Sequence, residues 1–339
     1  MPSSSVGPIF TNTGPSCVLG LLGSRQRITT VFTAGSTRGR DISRLDATRS
    51  PGQGEALAAW AIWGTTTLAV LVTYSRIDPA DTYNVSRDGP AGGLGRALTL
   101  VNFPIALVAI ALALLATAVL PRAAWWATAP AIVLCATIPS FVDQDDLDAR
   151  WVNAIPAIGV LAALGLTVAA VRRAGTSFAP RRPWDSVRLG IAVVVILLSL
   201  PWLTAELGFH FPGDFFMGEE PGRETDGSVI AAVHLGHHHG LDGAMLVLTA
   251  LLLSRMRVER SRLRIAVLAY LGLMLAYGGV NFVQDLWNEQ IVKRGWTEAS
   301  IPSALLPGLR PIWLVVVALA LLATLALLRE TRSPSYSEA

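Results

Sequence analysis

The chain has 339 residues, of which 52% are hydrophobic and only 15% charged, with a mean hydropathy of +0.49. An average soluble domain is about 25% charged, so the composition excludes a soluble globular enzyme and a disordered chain. The 27 basic and 24 acidic residues leave a net charge of +3, too small an excess for a nucleic-acid footprint; the partner the composition implies is the lipid bilayer.

Residues 1–54 read as a disordered cytoplasmic tail rich in Ser, Thr, Gly and Arg. The apolar stretch Cys17–Leu22 is too short for a signal-peptide core, and Arg25 and Arg27 follow it rather than precede it. Cys17 and Cys135 lie in unlike settings, so no disulfide framework is expected.

Eight apolar segments follow, at about Ala56–Ile77, Ala97–Leu120, Ala123–Val142, Trp151–Val171, Leu189–Phe209, Ser228–Leu253, Leu263–Val283 and Pro311–Leu328. Each approaches the roughly 20 residues that a helix needs to span hydrocarbon. The pattern predicts an all-α polytopic membrane protein: a bundle of about eight transmembrane helices over residues 55–329, with a short cytoplasmic tail at 330–339. Trp60, Trp63, Trp125, Trp126, Trp151, Trp202 and Trp313 read as interface anchors and packing residues.

The loops set the orientation. With the N-terminal tail inside, the inner side holds Arg38, Arg40, Arg44, Arg49, Arg122, Arg172, Arg173, Arg181, Arg182, Arg255, Arg257, Arg260, Arg262, Arg329 and Arg332. The outer loops carry acids, among them Asp78, Asp81, Asp143, Asp145, Asp146, Glu219, Glu220, Asp285 and Glu298. This asymmetry accords with the positive-inside rule. It predicts a multi-pass protein of the cell membrane with both termini in the cytoplasm.

Ionisable groups within a span are functional candidates by default. Four of the five histidines fall in the run His234-Leu-Gly-His237-His238-His239-Gly-Leu-Asp242, and the fifth, His210, ends the fifth segment. On one continuous helix His234, His238 and Asp242 share a stripe, His237 flanks it, and His239 points away. Glu206 and His210 are also four residues apart, and a tight pairing of segments five and six brings them to the depth of His234. The metal set expected is therefore His234, His238, His210 and Glu206 with His237 beside them, for a divalent transition metal, zinc or iron first. Asp242 and Glu206 are the candidate catalytic bases, and Asp242 also suits a carboxylate that orients His238. Asn281 and Asp285 lie four apart in segment seven, with Asn102 and Asn153 near the outer starts of segments two and four. Hydrogen bonds between helices account for the two asparagines.

The stretch His239–Met245 resembles the His/Gly/Asp helix of nickel permeases of the hydrogenase and urease accessory class, which carry a histidine where this chain has Gly243. The His-x-x-x-His pair is similar to that of seven-helix zinc hydrolases of the ceramidase type, whose serine–histidine helix is not evident here. Neither resemblance extends far enough to assign a family. Two functions remain: a metal-dependent enzyme acting on a lipid or small molecule at the outer leaflet, and a metal-ion or proton permease. A structural or accessory membrane subunit is a third. Below Asp242 the sixth segment continues as Ala-Met-Leu-Val-Leu-Thr-Ala-Leu-Leu-Leu, which suits a one-sided pocket better than a channel.

Overall fold

A backbone in hydrocarbon must pair its own N–H and C=O groups, and this chain does so almost wholly in helices. The computed structural model describes residues 52–77, 82–83, 90–138, 151–207, 222–223, 229–230, 235–236 and 239–332. The first helix is α1 (Gly54–Tyr74); α2 (Pro90–Leu100) then passes through a π-turn at Val101–Ile105 into α3 (Ala106–Val119). Next come α4 (Trp125–Cys135), α5 (Ala154–Ala174), α6 (Asp185–Leu198) and α7 (Leu200–Glu206). The chain continues with α8 (His239–Leu253), α9 (Ser261–Trp287), which runs into a second π-turn at Asn288–Val292, and α10 (Pro311–Arg332). Two-residue strands pair between these helices: β1 (Thr82–Tyr83) with β4 (Leu235–Gly236) in parallel, and β2 (Gly222–Arg223) with β3 (Val229–Ile230) antiparallel.

Each predicted apolar segment contains a helix, but the helices are unequal. Among the described residues five, Gly54–Tyr74, Gly92–Val119, Trp151–Ala174, Ser261–Val292 and Pro311–Thr331, are long and apolar enough to cross a membrane. The pair α6 and α7 makes a sixth if counted as one span bent by 60°. Pro201 explains the bend, since it lacks the N–H that would continue α6 and its ring crowds the preceding turn. Pro104 has the same deficit in the α2–α3 helix, where the wider π-turn absorbs it.

The sixth segment departs from expectation. It was placed as one helix over Ser228–Leu253, yet residues 229–230 and 235–236 are extended and α8 begins only at His239. Gly236 and Gly240 interrupt the apolar run, each costing a helix about 1 kcal/mol against alanine. The fifteen residues of α8 span about 22 Å. The described part of this segment is thus not one continuous helix; α8 carries Asp242, while His234 and His238 of the expected stripe lie outside the described residues. At the other end of the chain α10 continues to Arg332, past the boundary expected at residue 330.

Hydrogen bonds show which helix ends lie together. Gln53 N–H at the start of α1 donates to Gly175 O just after α5 (3.0 Å). Arg255, after α8, donates to Ala179 O (3.0 Å) and pairs with Asp185 at the start of α6 (3.3 Å). Arg188 of α6 donates to Ser254 Oγ (2.9 Å) and grips both oxygens of Glu330 near the end of α10. Arg260, before α9, donates to Thr117 O and Leu120 O at the end of α3 (3.0 Å each). The helices thus alternate in direction, and one end of the bundle collects Arg182, Arg188, Arg255 and Arg260 with Glu55, Asp185 and Glu330. Glu206, Asp242, Asp285 and Glu289 belong to the opposite end, by their places on α7, α8 and α9. Arg76, Lys293, Arg294 and Arg310 follow or precede helices at that same end, so the segregation of arginine is a bias rather than a rule.

Burial follows the helices' places. In the Gly92–Val119 helix 78% of the most apolar window is buried, against 22% in α1 and 17% in α10. The outer helices turn Ile62, Leu68, Leu189, Ile191, Leu321 and Leu322 outward, the side chains expected against lipid. Trp63 and Trp202 are core residues rather than interface anchors, and the indole of Trp63 donates to Thr249 Oγ1 (2.9 Å).

In lipid no hydrophobic force drives helices together, so close backbone approach does much of the work. At the α8–α9 crossing Gly243 and Gly278 face each other. A Cβ on Gly243 would come 2.5 Å from Gly278 O, and one on Gly278 would come 2.7 Å from Gly243 O. Gly243→Ala should therefore lower stability by about 1–3 kcal/mol, whereas Gly64→Ala, with no heavy atom within 4 Å of its added Cβ, should change little. Thermal unfolding of both purified variants in mild detergent checks this; equal midpoints would show that the crossing does not depend on glycine.

Candidate functional site

Charged side chains gather inside the end of the bundle opposite the arginines. Arg96 on α2 has no exposed surface, and Glu206, the last residue of α7, is 2% exposed. The guanidinium meets the carboxylate in two places: Nε donates to Oε2 at 3.3 Å and Nη2 donates to Oε1. This bidentate pair ties α2 to α7. Arg96 Nη1 makes no hydrogen bond among the described residues.

Asp242 is the third member. It stands in the first turn of α8 with no exposed surface, where the helix dipole favours a carboxylate. It lies within electrostatic reach of Arg96 and of Tyr277 on α9, and Tyr74 at the end of α1 also faces Arg96. Asp285 on α9 accepts a hydrogen bond from Gly240 N–H (2.5 Å). That approach needs a glycine, because a Cβ at 240 would come 2.7 Å from Asp285 Cβ and 3.0 Å from the Trp202 ring. Trp202 of α7 in turn donates its indole N–H to Glu289, which also faces Lys293 at 3.8 Å. Two contacts, Glu206 to Arg96 and Trp202 to Glu289, therefore position the short helix α7.

An aromatic wall closes one side. Phe103, in the π-turn after α2, meets the rings of His239 and Tyr277 edge-on at 6.2 Å each, and Tyr277 stacks on Trp313 at 5.8 Å. Beyond Phe103 and Tyr277 lies an apolar cavity of about 240 Å³ against Leu107, Met274, Leu305 and Trp313. The tyrosine hydroxyls are turned to backbone, Tyr277 to Leu305 O (3.0 Å) and Tyr270 to Leu107 O (2.8 Å).

Of the residues expected from sequence, the structure brings Glu206 and Asp242 to the same arginine. His210, His234, His237 and His238 lie outside the described residues. His239, the first residue of α8, is half-buried against Phe103. Among the described residues no three His, Cys, Asp or Glu side chains are placed to hold a metal. Both oxygens of Glu206 accept from Arg96, so a metal at Glu206 has to compete with a buried guanidinium. Asn281 donates to Tyr277 O (2.9 Å) within its own helix. Asn102 is fully buried in the π-turn, with neither amide atom hydrogen-bonded among the described residues.

Arg96 is the residue that sequence reasoning missed. It stands one place before the apolar segment read as starting at Ala97. The signal was present: the Gly92, Gly93 and Gly95 around it permit close helix approach, and α2 continues the buried helix outward through it. The chain matches no protein-family model, no curated protein and no solved structure.

Breaking a buried ion pair by removing one partner strands the other charge. Glu206→Ala should cost about 3–5 kcal/mol, and Arg96→Met combined with Glu206→Met should recover only part of that loss, because Asp242 then lies buried without the guanidinium. Thermal unfolding of the three proteins decides it; a single variant as stable as the parent would deny the pair any structural weight.

Proposed function

We propose that the chain is a multi-pass protein of the cell membrane, with its arginine end and both termini in the cytoplasm and a site of chemistry in the outer half of the bundle. About eight membrane-crossing segments, six of them long and two short, complete that topology. The observation that carries the reading is the burial of Arg96, Glu206 and Asp242 together, each at most 2% exposed, among apolar helices. Charges inside a membrane span cost a few kcal/mol each on insertion scales and are functional candidates by default.

The reading is an enzyme acting on a lipid or small molecule at the outer leaflet. Asp242 is the base: it takes up a proton at its carboxylate, and Arg96 within electrostatic reach steadies the charge it carries beforehand. Glu206 holds Arg96 in place. The histidine run directly before α8 supplies the metal ligands, His234, His237 and His238, with His210 beside them. A divalent metal held there supplies Lewis acidity to the reacting group. The permease alternative is less well supported. Toward the arginine end, α8 offers only Thr249 as a polar side chain before Ser254, and Thr249 already accepts the Trp63 indole hydrogen bond.

Two measurements test this reading. In a variant with Cys17 replaced, a cysteine at exposed Glu298 should react with a membrane-impermeant maleimide on intact cells, and one at exposed Arg257 should react only after lysis. The reverse pattern places the site at the cytoplasmic face. Metal analysis of the protein purified in mild detergent should find about one zinc or iron per chain. His238→Ala should remove most of it, and His239→Ala, whose ring packs on Phe103, should retain it. A metal-free wild-type protein defeats the metal part of the proposal.

A further inference from the structure

The two halves of the bent α6–α7 unit are held in opposite ways. Of the fourteen residues of α6 only Arg188 and Val195 are buried, whereas five of the seven in α7 are. Val187, Leu189, Ile191, Val194 and Leu197 all turn outward. One buried apolar side chain is little to hold a helix in lipid, where no hydrophobic force presses it onto its neighbours. What holds α6 is a clamp in its first turn. Arg188 binds Glu330 of α10 and Ser254 after α8, and Asp185 pairs with Arg255. The charges of this clamp have second partners already in place. Arg188 also faces Asp185 on its own helix at 3.2 Å, and Arg255 also faces Glu55 of α1 at 3.7 Å. Parting α6 from the bundle therefore leaves Arg188 with Asp185 and Arg255 with Glu55. Glu330 is the one charge that gives up its ion pair, and it stands two residues from the end of α10 with Arg329 beside it in sequence. Glu206, by contrast, has no second cation in reserve among the described residues.

The break between the two helices supplies a hinge. Pro201 has no N–H to offer Leu197 O, and α6 and α7 meet at 60° across Ser199. A few residues at the end of an element are enough to absorb such a rotation. α7 itself is fixed, since Glu206 binds Arg96 and Trp202 binds Glu289. We infer that α6 is a latched arm. When Arg188 and Arg255 fall back on their second partners, the arginine end of α6 comes free and the helix swings about Ser199–Pro201, while α7 and the buried Arg96–Glu206 pair stay in place. The swing parts α6 from α8, along which it lies, and opens a lateral slit beside the helix that carries Asp242. The device goes beyond the enzyme reading and does not depend on it.

The test uses the full chain in phosphatidylcholine nanodiscs, with Cys17 replaced by serine, the buried Cys135 left as it is, and spin labels on pairs of engineered cysteines. Double electron–electron resonance between positions 189 and 325 reads the separation of α6 from α10, and between positions 68 and 203 that of α7 from α1. Leu68, Leu189, Leu203 and Leu325 are all exposed, so the labels disturb no packing. The chain with its clamp intact should give one distance for each pair. Glu330→Gln should add a second 189–325 distance, longer by about 5 Å or more, the radius of a helix with its side chains, and should leave the 68–203 distance unchanged. Arg188→Gln, which removes the other half of the latch, should do the same. An unchanged 189–325 distance in both variants overturns the proposal. Widening of both pairs together also overturns it, because the bundle then loosens as a whole. So does loss of folding in both variants, which makes the ion pair a structural support and not a latch.

Discussion

A guanidinium and a carboxylate buried together in apolar surroundings cannot separate without stranding two charges, and the end of the bundle opposite the arginine cluster is arranged around that fact. Arg96 and Glu206 are too costly to expose to lipid and too costly to bury alone. Their contact therefore fixes α7 against α2, and the bend at Pro201 is what lets α7 leave the line of α6 to reach it. Trp202 on the same short helix adds a hydrogen bond to Glu289, so α7 is held toward both of its ends by polar contacts. The Gly243–Gly278 crossing brings α8 close to α9, and with it Asp242 close to Tyr277.

The two ends of the bundle use charge differently. At the arginine end Arg188, Arg255 and Arg260 bind carboxylates and helix-terminal carbonyls near the bundle's rim, where they tie the ends of α1, α3, α6, α8 and α10. Bonds of this kind satisfy carbonyls that helix termini leave without partners. At the opposite end Arg96, Glu206 and Asp242 are each at most 2% exposed. Asp242 shares the field of Arg96 with Glu206, beside an aromatic wall and between two apolar hollows. The first arrangement ties helix ends together; the second ties α2, α7 and α8 around one buried guanidinium.

Hydropathy located the helices because a window of apolar residues is the direct signature of lipid as solvent. It misjudged the sixth segment because apolar content does not distinguish a helix from an extended strand. Val229, Ile230 and Leu235 are as apolar as any helix residue, yet they lie in strand pairs. The same reading left Trp63 and Trp202 between interface anchoring and packing; the structure gives them to packing, with indole partners far away in sequence, Thr249 and Glu289.

The sequence by itself determined that this is a helical chain with segments long and apolar enough to cross a membrane, roughly where its helices run, and that one set of its loops is rich in arginine. Each of these is a local property, fixed by solvent and by short runs of residues. Glu206 and Asp242 were also legible, since a carboxylate within an apolar stretch has to be accounted for. Only the tertiary structure decided what they meet. Arg96 lies 110 residues from Glu206, and nothing in either segment specifies the other as its partner. The choice is made by helix directions, by the bend before α7 and by a glycine crossing that lets backbones touch, because a buried charge is compensated by proximity in space and not in sequence.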